Sequence, residues 1–129
     1  MNSYSANFDP PALCLDVTVG NVLSRRKRRT LYALLDTGAD ITAIPGECVD
    51  LLGLYKIDRL RLETVEGTAS IIYTYAVRFT LGDLVIPRLE VILTGLDIVL
   101  VGRDVLNQLY LQLDGPQQQF AFQTTPFHT

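Results

Sequence analysis

From Leu31 to Pro45 the chain reads Leu-Tyr-Ala-Leu-Leu, then Asp36-Thr37-Gly38-Ala39-Asp40, then Ile-Thr-Ala-Ile-Pro. A carboxylate therefore stands at the end of an apolar strand-sized run, and the chain turns apolar again soon after it. Such an aspartate is costly among apolar neighbours unless it is hydrogen-bonded. Gly38 lets the backbone turn closely and offers an unhindered N–H. Thr37 can lock the turn through its hydroxyl. Alone, Asp-Thr-Gly is an ordinary turn, since all three residues are turn formers. The apolar flanks are what set this stretch apart.

The rest of the chain is punctuated in the same short rhythm. Leu13, Leu15, Val17 and Val19 alternate with Cys14, Asp16 and Thr18, which predicts a half-buried strand over Ala12–Val19. A second strand is expected over Leu31–Leu35, joined to the first as a hairpin. Pro45-Gly46-Glu47 opens a short helix carrying Val49, Leu51 and Leu52, with Gly53 as its stop. Arg59–Val65, Ala69–Leu81 and Leu84–Leu93 are rich in β-branched and aromatic residues, and Glu66-Gly67 and Gly82-Asp83 are the turns between them. Leu96–Val101 reads as a strand buried on both faces. Arg103–Leu109 has helical spacing, and Tyr110–Leu113 and Gln119–Phe122 flank Asp114-Gly115-Pro116 as a closing hairpin. The expectation is a mostly-β barrel or sandwich with one or two short helices. Residues 1–9 are expected to be a flexible leader, 10–123 one domain and 124–129 a tail.

Composition narrows the chemistry. At 129 residues, about half of them apolar, the chain can build one core without staples. Its 2 cysteines, Cys14 and Cys48, have the spacing of neither a zinc knuckle nor a redox pair, and read as reduced, partly buried thiols of a cytoplasmic protein. The 1 histidine, His128, leaves no histidine metal site and no histidine-based triad, so no metal is expected. No basic-then-apolar start marks a signal peptide, and no run has the length of a membrane helix.

The Asp36 stretch resembles the signature of the aspartic proteases. A second segment, Asp97-Ile-Val-Leu-Val-Gly102-Arg103-Asp104-Val-Leu, resembles the late motif of the single-lobed retropepsin-like family. The resemblance is sharp at 31–45 and 96–109 and one of pattern across 12–122. It implies a closed retropepsin-like β-barrel and an aspartic endopeptidase with no cofactor. It makes Asp36 the catalytic residue and Thr37, Gly38 and Ala39 its active-site loop. It also implies an ion pair of Arg103 with Asp40, with bidentate geometry.

That chemistry needs two carboxylates sharing one proton: the ionised member draws a proton from water, and the protonated member donates to the scissile carbonyl. This is the arrangement for which aspartic proteases serve as a general example. The chain has a single Asp-Thr-Gly, so the resemblance implies an obligate two-fold homodimer. Thr37 would reach across the axis. Leu109, Leu111, Leu113, Phe120 and Phe122 would join the interface, unless the monomer's own core claims them.

The family's mobile flap has its counterpart in Val65, Glu66, Gly67 and Thr68, within the stretch from Thr64 to Ala69. It has a single glycine and an acidic residue near the tip. Arg25-Arg26-Lys27-Arg28-Arg29 is a run of cations, and setting it aside leaves 6 of the 11 basic residues against 14 acidic ones. A solvated hairpin loop is the first reading of this run. Attraction of nucleic acid is the second, without aromatic residues for stacking, and a processing site the third. For the chain as a whole the alternative to an active endopeptidase is an inactive relative that binds extended peptides or holds two partners together.

Overall fold

The computed structural model describes residues 1–63 and 65–128. Thr64, at the edge of the expected flap, and Thr129, the last residue of the expected tail, lie outside the described residues. In chain order the elements are β1 (Asn2–Ser3), β2 (Cys14–Gly20), β3 (Arg28–Leu35), β4 (Ala43–Pro45), α1 (Cys48–Leu52), β5 (Lys56–Glu63), β6 (Ala69–Leu81), β7 (Leu84–Thr94), β8 (Val99–Val101), α2 (Arg103–Leu106), β9 (Tyr110–Asp114) and β10 (Gln119–Gln123).

The main sheet runs in the order β2-β3-β8-β4-β7-β6-β5, and a further pairing of β2 with β6 closes six of its strands into a barrel. β5 stays outside the ring, paired among the described residues to β6 alone. Closure follows from alternation. Along β6, Tyr75, Val77, Phe79 and Leu81 are buried while Ala76, Arg78 and Thr80 are not. Each strand thus gives one face to a common interior with Val17, Val19, Ile44, Val91, Val99 and Val101. Phe79 is fully buried there, and its truncation to alanine would cost about 3–5 kcal/mol.

The parallel pair β3–β8 sets the Asp36 end, aligning Leu35 with Val101. β4 lies antiparallel to β8 at Ala43–Leu100 and parallel to β7. The polypeptide leaving β3 must therefore turn sharply and come back on the other side of β8. That turn is the stretch that begins with Asp36.

Several boundaries differ from the expectation. β3 begins at Arg28, so Arg28 and Arg29 lie in a strand and not in the preceding loop. Strand pairing tolerates them because their heads reach solvent. α2 stops at Leu106, since a short run between β8 and β9 leaves room for one turn. Leu96 and Asp97 lie in a bend before β8, and Leu100 is half-buried rather than enclosed on its face. Residues 1–9 are not free of structure: β1 adds to β10 with Asn2 opposite Phe120, and Ser5 bridges Ala12. The closing hairpin reverses with a positive φ of 52° at Gln118, not at Gly115. Gly53 ends α1 in the left-handed region at φ 63°, where a side chain is disfavoured.

Candidate active site

Asp36 is the first residue after β3. Its N–H donates to the Val101 carbonyl at 2.9 Å, extending the β3–β8 ladder by one step. The carboxylate then caps its own turn: Oδ1 accepts the Gly38 N–H at 2.9 Å, and the Ala39 N–H donates to the Asp36 carbonyl at 3.2 Å. A Cβ on residue 38 would stand 3.2 Å from that same Oδ1, closer than most side-chain contacts, so glycine keeps the approach open. Asp36 is half-buried, and Oδ2 takes no hydrogen bond from the described residues.

Thr37 and Gly38 are exposed. The expected lock through the Thr37 hydroxyl is not made among the described residues. The carbonyl of Thr37 is used instead, accepting from Arg103 Nη1 at 2.6 Å. The same guanidinium forms an ion pair through Nη2 with Asp40 Oδ1. Arg103 is thus two-pronged, but its prongs part between a carbonyl and a carboxylate where the resemblance implied one carboxylate for both. The Arg103 and Asp40 side chains are 45% and 81% exposed, so the ion pair itself is worth only about 0–1 kcal/mol. Its effect is geometric, because one planar group spans the loop from Thr37 to Asp40. The Arg103 N–H donates to the Ala39 carbonyl at 2.9 Å, so backbone and side chain hold the same loop.

Beneath this clamp is a buried support that sequence reading missed. Thr42 is fully buried. Its hydroxyl donates to Asp104 Oδ1 at 2.8 Å and accepts the Gly102 N–H at 3.0 Å, and its own N–H donates to Asp104 Oδ2 at 3.0 Å. Asp104 Oδ1 also accepts the Val105 N–H at 2.9 Å. A Cβ on Gly102 would lie 2.9 Å from the Ile41 carbonyl carbon and 3.0 Å from the Ala39 oxygen. Only glycine lets α2 approach the loop this closely. The signal in the sequence was a lone hydroxyl in the apolar run Ile41-Thr42-Ala43-Ile44, because a buried hydroxyl must find partners.

Val65, Glu66, Gly67 and Thr68 lie in the exposed tip between β5 and β6, and Gly67 has φ 83°. Ile71 and Tyr73 on the same hairpin are exposed at 67% and 46%, apolar surface on a strand pair that projects beyond the barrel. The tail residues divide. Phe120 is fully buried, with its ring 6.2 Å from that of Tyr4, while Leu109, Leu111 and Phe122 pack on the barrel core. Only Leu113 of the five is exposed. The monomer encloses Phe120 and covers part of Leu109, Leu111 and Phe122.

Cys14 and Cys48 are both free and buried. Burial pushes both thiols up, and neither faces the Asp36 turn as a hydrogen-bond partner. No helix among the described residues is long and apolar enough to cross a membrane.

Residues 26–108 match the family described as "gag-polyprotein putative aspartyl protease". No curated protein matches the chain. Its fold is similar to that of a retropepsin-like aspartic protease from Rickettsia conorii, with TM-score 0.60 and 17% identity, over 88% of this chain and 83% of that one. It is also similar to the Simian Foamy Virus (mac) protease, with TM-score 0.57 and 19% identity, over 74% of this chain and 92% of that one. The EIAV protease in complex with the inhibitor HBY-793 aligns with TM-score 0.53 and 19% identity, over 74% and 86% of the two chains.

Proposed function

The chain belongs to the gag-polyprotein aspartyl protease family of retropepsin-like proteins, and from that premise we propose that it is an aspartic endopeptidase active as a two-fold homodimer. One observation carries the reading. Asp36 holds one carboxylate oxygen in an internal hydrogen bond and leaves the other unengaged among the described residues, at the open end of a loop fixed by Arg103 and Thr42. A carboxylate so held is preorganised to meet a second carboxyl group, and none among the described residues bonds to it. Asp40 pairs with Arg103 and Asp104 with Thr42, so neither is free to act as the second catalytic group.

In the proposed dimer two copies of Asp36 meet across the axis and share a proton. The ionised carboxylate accepts a proton from water, and the water oxygen attacks the scissile carbonyl. The protonated carboxyl donates to the carbonyl oxygen, which gives a tetrahedral diol without a covalent enzyme intermediate. The Thr37 hydroxyl, exposed and without a hydrogen bond among the described residues, would bond across the axis. The β5–β6 hairpin with Val65, Glu66, Gly67 and Thr68 would close over an extended peptide.

The test is digestion of a complex peptide pool by wild-type and Asp36→Asn protein across pH, with molar mass measured on the same samples. Asp36→Asn is expected to lower cleavage by about a thousand-fold or more while leaving the dimer intact. The wild-type rate should fall above about pH 8, because one member of the pair must keep its proton. A dimer that binds peptides and never cuts them would turn the reading to a binding module. Wild-type cleavage in Asp36→Asn would remove Asp36 from the chemistry.

A further inference from the structure

β3 is eight residues long, and at ~3.3 Å per residue its far end lies roughly 26 Å from Asp36. At that far end the barrel exterior carries a concavity of about 480 Å³ whose lining includes Thr18, Gly20, Arg25, Arg28, Arg78 and Thr80. The strand register explains it. Gly20 stands between Arg28 on β3 and Arg78 on β6, and in the neighbouring row Thr18 stands between Thr30 and Thr80. Residues of one row share a face. The absent side chain at Gly20 therefore leaves a notch between two arginines, with threonines bordering it.

Arg25 comes from the β2–β3 loop, which is held in place. Asn21 Oδ1 accepts the N–H groups of Leu23 at 2.8 Å and Ser24 at 3.1 Å, and its Nδ2 donates to the Leu52 carbonyl at 2.9 Å. Beside Arg78 the β6–β7 ladder shifts register between Val77 and Phe79, a bulge at which Pro87 can lie without leaving a ladder donor missing.

Ion pairs among the described residues involve Arg61 with Glu63 and Arg103 with Asp40. Arg25, Arg28 and Arg78 have no carboxylate partner among those residues. Three like charges around one notch repel one another, on a chain whose net charge is -3 and which has acidic residues to spare elsewhere. The arrangement is unfavourable for the free protein and is relieved by a multiply charged anion. Guanidinium forks and hydroxyl donors match tetrahedral phosphate oxygens. The volume lies in the range of small-ligand sites, about 300–1,000 Å³. No aromatic residue lines the notch, so it lacks the stacking surface that single-stranded nucleic acid uses.

We propose that this notch binds a small phosphate anion of the pyrophosphate or nucleoside polyphosphate class, at the end of β3 remote from Asp36. The site does not depend on the proteolytic reading.

The test is calorimetric titration of the full chain with inorganic pyrophosphate at low salt. One site per chain is expected, with a dissociation constant below about 1 mM. Arg78→Gln should weaken binding about ten-fold or more, and Arg78→Lys less. Arg26→Gln, in the same cationic run but outside the notch, should change it by less than about two-fold. Unfolding midpoints check each variant, and Arg25→Gln, on a loop, serves if Arg78→Gln does not fold. A labelled single-stranded RNA is titrated in parallel. Absence of pyrophosphate binding up to about 10 mM would overturn the proposal. Equal losses in Arg26→Gln and Arg78→Gln would also overturn it, as would RNA binding that pyrophosphate does not compete.

Discussion

The two ends of β3 handle charge in opposite ways. At the Asp36 end each carboxylate finds a partner in the chain: Asp36 the Gly38 N–H, Asp40 the Arg103 guanidinium, Asp104 the Thr42 hydroxyl. At the Arg28 end the guanidiniums of Arg28, Arg25 and Arg78 have no such partner among the described residues. The burial pattern along the strand follows suit, from exposed Arg28 and Arg29 to buried Ala33 and half-buried Leu35. Internal satisfaction fixes geometry, which proton transfer needs. Unsatisfied charge keeps an exposed surface receptive to an external counter-ion. One strand thus links a rigid end to a receptive one.

The contrast breaks most readily at Thr42. Thr42→Val keeps the volume and removes the hydroxyl, leaving the buried Gly102 N–H without its acceptor. A loss of about 1–3 kcal/mol in chemical denaturation is expected. At the other end the Thr18 and Thr30 hydroxyls meet at 3.4 Å in an exposed pair, and Thr18→Val should stay within about 0.5 kcal/mol. Equal losses at both ends would show that the Asp36 end is no more internally determined than its opposite.

Arg103→Lys gives a smaller effect on stability and a clear one on cleavage. The exposed ion pair with Asp40 contributes little to folding, so the unfolding free energy should change by less than about 1 kcal/mol. A lysine cannot reach the Thr37 carbonyl and Asp40 in one planar geometry. The proposed peptidase should then lose roughly ten-fold in kcat, with KM less affected. Arg28→Lys should leave cleavage unchanged. A matching loss there would tie the two ends together.

These contrasts were unevenly legible in the sequence. The Asp36 turn was readable because its chemistry is local: Asp, Thr and Gly are adjacent, and so are Gly102 and Arg103. The strands were readable wherever one face is buried, as with Val77, Phe79 and Leu81. Arg28 and Arg29 were placed in a loop because a cation run obscures alternation, although long side chains on an outer face do not oppose strand pairing. The support of Thr42 by Asp104 spans 62 residues, and no local pattern announces it. The Arg28–Gly20–Arg78 row likewise exists only once β2 pairs with both neighbours. The tail's alternation was legible as strand, but alternation alone does not announce that Phe122 lies against Gly82, where a Cβ would stand 2.6 Å from its ring.

The smallest effect uses the thiols as reporters of the two ends. Cys14 pairs with Leu34 near Asp36, and Cys48 lies close enough to Arg29 to feel its charge. Burial raises both above the ordinary value of 9.0; at Cys48 Glu47 adds to the rise and Arg29 opposes it. The folded state therefore holds its thiol protons at a pH where the unfolded chain releases them. The stabilisation is fully present below pH 9.0 and is lost as pH climbs towards the raised folded values. The slope is at most about 1.4 kcal/mol per pH unit per thiol. Replacing both cysteines with alanine should flatten that part of the stability profile, whatever it does to the plateau. Arg29→Gln should slow labelling of Cys48 by a disulfide reagent at pH above 9.0, because removing a cation raises the thiol further, and should leave Cys14 untouched. Slowing of both thiols alike would mean that the charge at the Arg28 end is felt along the whole strand, and the two ends would no longer be electrostatically separate.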